Sequence, residues 1–265
     1  MNTYFLATVA ICAYTVSTVK IIRLHHQSTG RIPQAVRWAF SAIALHIISL
    51  TTTVLENDGF NFSLFSMASL VSLIVALLLT SAMLSKPVEN LGIFVFPIAA
   101  LMLILDICFP EKQRSLNTHS WQLSLHVLSS IIAFSLLNIA ALQAVLLVVQ
   151  NQQLRSHPPK RYIQSMPSLE TMESLLFQMI GAGLIFLSTA LISGFMFVDD
   201  IFAQHQAHKT FLSILAWLIF SGLLIGRKRY GWRGQTAIKW TLVGFVFLLL
   251  AYFGSKLVKE LILHR

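Results

Sequence analysis

Apolar positions along this chain do not alternate; they run. Eight mostly apolar stretches of 15 to 29 residues are separated by short polar breaks. A helix needs about 20 such residues to cross a bilayer, and backbone groups left unpaired in lipid exclude an open strand arrangement. The pattern therefore predicts an all-α fold, a polytopic transmembrane helical bundle of about eight spans. They run Tyr4 to Ile22, Val36 to Leu55, Leu64 to Leu84, Leu91 to Phe109, Trp121 to Val149, Leu175 to Phe197, Phe211 to Ile225 and Trp240 to Val258. The fifth is long enough to tilt or to project, and the seventh must borrow residues at its ends. The longest polar stretch, 151–174, is too short to build a core of its own. It separates a five-span part from a three-span part within a single membrane domain covering residues 1–265.

Composition supports this reading. Hydrophobic residues make up 56% of the chain and charged residues only 11%, against about a quarter charged in an average soluble domain. No Lys or Arg precedes the first apolar run and no small-x-small site follows it, so it reads as a retained span. The formal charge of +9 needs no nucleic-acid partner, because cations beside spans set topology. The first, third, fifth and seventh connections hold 13 of the 19 cations, including Lys20, Arg37, Lys86, Arg161 and Arg227 to Arg229. The even connections and the C-terminal tail hold the other 6. The bias makes the odd connections cytoplasmic and places both termini outside. The stretch "RKRYGWRGQTAIKW" from Arg227 to Trp240 then becomes the last cytoplasmic loop, with Trp232 and Trp240 at headgroup depth. Arg227, Lys228 and Arg229 are expected to be interchangeable with other cations, and Trp232, flanked by glycines, to pack.

Intramembrane ionisable groups are functional candidates by default. Histidine is the interesting type, with nine copies. His46 lies near the middle of the second span and His126 in the outer third of the fifth, with His119 seven residues earlier on nearly the same face. His205, His208 and His264 fall in outer segments; His25, His26 and His157 fall in cytoplasmic loops. A buried histidine can equally well hydrogen-bond a neighbouring helix. Zinc fits poorly: there is no HxxxH or HExxH pattern, and Cys12 and Cys108 are remote in sequence from the histidines, with no CxxC motif. Haem fits better, since its iron needs one or two axial side chains in an apolar, aromatic slot. Asp106, Asn138, Gln143 and Gln178 could instead line a solute path, with Asp106 reaching out from the end of its span. Ser130 and Ala133, below His126 on its face, are small enough to leave room for a flat macrocycle.

Several stretches carry a family resemblance: "ALHIISL" around His46, "FSLFSMASLVSL" entering the third span and "LHVLSSIIAFSLLNIAALQAVL" around His126. "FLSILAWLIFSGLL" and "GWRGQTAIKWTLVGFVFLLLAYFGSKLV" follow in order. Together they resemble the haem-handling cytochrome c assembly family, related to CcsA, in its YpjD-like inner-membrane branch. The resemblance implies eight spans and an outward-facing site for haem, b-type and non-covalent. His126 matches the histidine that opens the fifth span and would be an axial iron ligand. His264 lies about one residue out of register with a second outer ligand. His46 would be a further intramembrane ligand or would shape the pocket. The family's tryptophan-rich outer loop is here "VDDIFAQHQAHKTF", and a histidine before GWRG is replaced by "LLIGRKRY". Haem binding or an accessory role follows more directly from these departures than a complete haem carrier does. The implied partners are haem, the bilayer of a bacterial inner membrane and other cytochrome assembly proteins. No bond-making step is implied, so the chain is not read as an enzyme. A small-solute or ion transporter and a non-catalytic membrane scaffold are the alternatives.

Overall fold

The computed structural model describes residues 3–27, 33–56, 63–109, 121–155, 167–197 and 207–254. Among them are eight helices long and apolar enough to cross a membrane, and no strand. These are α1 (Thr3–Gln27), α2 (Pro33–Glu56), α3 (Leu64–Ala82), α4 (Glu89–Cys108), α5 (Trp121–Arg155), α6 (Leu169–Phe197), α7 (Ala207–Tyr230) and α8 (Gln235–Leu249). A π-helical turn, Leu250–Gly254, continues α8. The eight-span reading holds. The short seventh span is a full 24-residue helix, because its polar ends, "AHKT" and "GRKRY", are helical too.

The helices form two compact units, one of α1–α4 and one of α5–α8 with the π turn. Short connections force antiparallel neighbours. Residues 28–32 can bridge at most about 17 Å, while α1 is about 37 Å long, so α2 starts where α1 ends. Within the first unit α1 packs on α2 and α4, and α3 on α2 and α4, which closes a ring of four. The second unit closes the same way, α5 on α6 and α8, and α7 on α6 and α8.

The buried stripes explain the packing. On α2, Ala35, Ala39, Ala42, Ile43, His46, Ser49 and Leu50 are buried, at spacings of three and four. On α1 the stripe is Ala7, Ala10, Ala13, Tyr14, Ser17 and Ile21. Small residues let membrane helices approach closely, while large apolar side chains need not be inside. Phe94, Ile98, Leu101 and Ile104 on α4 accordingly point outward. Cross-helix hydrogen bonds add to this: Ser17 donates to the Ala35 carbonyl at 2.9 Å, and Trp217 Nε1 to Ser188 Oγ at 2.8 Å.

The connection between α7 and α8 is a built junction. Gly231 and Gly234 have φ of 65° and 57°, a left-handed region open to glycine at little cost. The Gly231 amide returns to the Arg227 carbonyl at 3.1 Å and the Trp232 amide to the Gly226 carbonyl at 3.3 Å. The Trp232 indole lies flat against Gly226, where a Cβ would run into its ring carbons. Glu173 on α6 takes the Arg227 guanidinium on Oε1 at 3.0 Å and the Gly234 amide on Oε2 at 3.2 Å. Arg227 also stands 3.9 Å over the Phe177 ring. The packing role expected of Trp232 is therefore present. Arg227 departs from the expectation of interchangeable cations, since its planar fork serves a carboxylate and a ring that a lysine would meet less well.

Candidate functional site

In the α5–α8 unit, His126 sits five residues into α5 and faces α6. Its Nδ1 donates to the Ala190 carbonyl at 2.8 Å. Ser193 Oγ stands 3.4 Å from the same nitrogen and donates to the same carbonyl at 3.0 Å. The ring reaches the α6 backbone because Gly194 has no side chain. A Cβ there would lie 2.9 Å from Cε1 and 3.2 Å from Nδ1. A helical carbonyl is usually screened by the next turn; here that turn is bare.

This geometry fixes the chemistry. With its proton on Nδ1, committed to a carbonyl, the neutral imidazole keeps a lone pair on Nε2. Nε2 has no hydrogen-bond partner among the described residues, and the ring is half-buried. Metal-ligating histidines carry this second-shell arrangement, so the residue fits one axial position of haem iron. Further along α5, Phe134 collects an aromatic cluster. Phe245, Tyr252 and Phe253 have ring centroids 5.8, 4.7 and 5.6 Å from its own. The π turn brings the last two of these onto one ring. Phe134 lies eight residues beyond His126, a rise of about 12 Å.

The other sequence candidates lie elsewhere. His46 belongs to the α1–α4 unit and is fully buried. Tyr14 Oη is 3.3 Å from its Nδ1 and Ser69 Oγ is 3.0 Å from its Nε2, so neither nitrogen is free. His264, His119, His157 and His205 lie outside the described residues, as does most of the outer loop 198–209. His208 is exposed at the start of α7. Ala133 is fully buried, so the space below His126 on that side is filled by protein. Gln143 donates to the Met172 carbonyl at 3.1 Å and ties α5 to α6. Asp106 does not reach outward: Ser66 Oγ donates to its Oδ1 at 2.6 Å.

Ala190, Ser193, Gly194 and Glu173 were not visible as site residues in the sequence. Only the small-residue pair "SG" in the sixth span hinted that another helix approaches there.

Comparison with known proteins follows the same direction. The family described as cytochrome C assembly protein matches residues 36–263. The inner membrane protein YpjD of Escherichia coli K12 is 30% identical over 97% of this chain and 98% of its own length. The cytochrome c biogenesis protein CcsA of Chlamydomonas reinhardtii is 27% identical over 52% of this chain and 38% of its own. That of Guillardia theta is 23% identical over 63% and 61%. No solved structure matches.

Proposed function

We propose that this chain, which belongs to the cytochrome c assembly protein family, holds haem at the outer face of the inner membrane with His126 as an axial ligand. Membership in the family makes it a multi-pass inner-membrane protein serving cytochrome c biogenesis. The observation that carries the finer reading is the anchored ring: Nδ1 on the Ala190 carbonyl, Nε2 free. Haem, when bound, supplies iron with axial positions for such a nitrogen. The chain orients the ring through Gly194 and Ser193, and further along the same helix the buried Phe134 ring anchors the half-buried Phe245, Tyr252 and Phe253 rings. Binding is b-type and non-covalent, since no cysteine accompanies the histidine. His264 is the candidate for the second axial position on the family pattern. His46, with both nitrogens engaged, is not assigned as a ligand. The role is delivery or holding, with no bond made by this chain.

The test uses the full-length protein in detergent, titrated with haemin. His126→Ala keeps a good helix former at the position. It is expected to accumulate normally and to bind haemin at least about tenfold more weakly, because loss of a second-shell partner alone costs about 10–100-fold at metal sites. Added imidazole should partly restore the Soret band. An unchanged spectrum and affinity in the variant would sink the assignment.

The orientation is checked separately. With Cys12 and Cys108 replaced, a single cysteine at Gln235 is expected to resist an impermeant thiol reagent in intact cells. One at His264 is expected to react. The reverse pattern would overturn both the topology and the outward-facing site.

A further inference from the structure

The outward face of α7 is apolar along most of its length and basic at its end. Phe211, Leu218, Gly222, Ile225 and Arg229 are exposed and follow one another at spacings of seven, four, three and four. They therefore form one stripe along the helix. Gly222 leaves a gap in it, because a Cβ there would meet no atom within 4 Å. From Leu218 to Arg229 the stripe rises about 16 Å. The hydrocarbon of one leaflet is about 15 Å deep, so a chain whose headgroup sits at Arg229 reaches its end near Leu218.

The basic end is not neutralised. Arg227 is committed to Glu173 at 3.0 Å. Lys228, Arg229, Arg233 and Lys239 are exposed and form no ion pair among the described residues. The acids at this end of the unit are Glu170 and Glu173 on α6, and the second already holds Arg227 and the Gly234 amide. Four unpaired cations thus stand against one exposed carboxylate. Tyr230 beside them is 74% exposed, an apolar ring with a hydroxyl suited to the headgroup layer. Topology requires cations near a span in any arrangement. It does not require that one of them close the apolar stripe that carries the gap. A nucleic acid would meet the charge but not the apolar stripe that runs from it.

We propose that the outward face of α7 binds one anionic phospholipid, its phosphate on Arg229 and the other exposed cations of the α7–α8 junction, and one acyl chain laid across Gly222 between Leu218 and Ile225. The leaflet is the one that contains the junction, the cytoplasmic one on the cation bias. Arg229 presents a planar fork to the phosphate, and Lys228 adds a point charge. The lipid chain supplies the contacts that a side chain at Gly222 would otherwise make.

The experiment is native mass spectrometry of the full-length protein in detergent, titrated with phosphatidylglycerol or with phosphatidylcholine of the same acyl chains. One phosphatidylglycerol molecule is expected to stay bound at concentrations where phosphatidylcholine does not. Arg229→Gln should weaken its retention about fivefold, the scale of one basic side chain beside an anionic surface. Arg229→Lys should keep most of it. Gly222→Leu fills the gap and leaves every charge in place, and it should weaken retention several-fold as well. The added side chain meets open space and leucine favours the helix, so this variant is expected to melt no lower than the wild type. Equal retention of the two lipids would overturn the site. So would a Gly222→Leu protein that holds phosphatidylglycerol like the wild type, since only diffuse attraction between charges would then remain. Displacement of the lipid by inorganic phosphate or by a short oligonucleotide would assign the cations to a soluble anion and overturn it too. No step depends on the haem assignment, so either can fail alone.

Discussion

Gly226→Leu is expected to destabilise the α5–α8 unit by about 3 kcal/mol or more, at the severe end of single substitutions. Helix propensity alone would favour leucine over glycine by almost 1 kcal/mol, so the sign of the result reports the clash. A Cβ at Gly226 meets three ring carbons of Trp232. The indole cannot step aside cheaply. Its amide is tied to the Gly226 carbonyl at 3.3 Å and its ring stacks on Tyr230 with centroids 6.3 Å apart. Trp232→Ala removes the obstacle, so in that background Gly226→Leu should cost far less than alone. Such coupling is what residues in direct contact show. Thermal midpoints of the two single variants and the double variant in one detergent measure it. A Gly226→Leu protein melting with the wild type would contradict the junction described here.

Gly194→Val should show the opposite profile, with stability nearly kept and haem binding lost. Its Cβ would lie 2.9 Å from Cε1 of His126. That atom belongs to the end of a side chain with two rotatable bonds, so the ring swings away at small cost. In swinging it gives up the 2.8 Å bond to the Ala190 carbonyl, and with it the fixed tautomer and direction of Nε2. Haemin affinity is expected to fall about tenfold or more, the scale of second-shell losses at metal sites. Gly194→Ala should fall between. The measurement pairs a haemin titration with a melting curve. A valine variant that melts normally and binds haemin like the wild type would remove Gly194 from the site.

What the sequence made legible follows from where each signal resides. Hydropathy is a property of composition over about 20 residues, so all eight spans could be read from it. Boundaries are set by capping and by polar residues that stay helical. α6 begins at Leu169 rather than Leu175, because the Ser168 hydroxyl receives the Thr171 amide at 3.3 Å, and "SLET" looked like loop. His126 and His46 could be picked out as intramembrane histidines. What distinguishes them is tertiary: one ring nitrogen free in the first, none in the second. Asp106 was read as reaching outward because it lies near the end of its span, and the serine that holds it, Ser66, is 40 residues away in the chain. Glu173 was passed over because its partners are 54 and 61 residues away in the chain.

That last separation sets a timetable. A bacterial chain grows at about 5–20 residues per second, so roughly 3 to 12 s pass between synthesis of Glu173 and of Arg227 and Gly234. Until then a carboxylate at the edge of α6 waits without the cation and the amide that later neutralise it. A nascent protein that stalls before its last two helices therefore carries an exposed charge at the membrane boundary. The completed one hides it, so a single side chain distinguishes finished from unfinished copies.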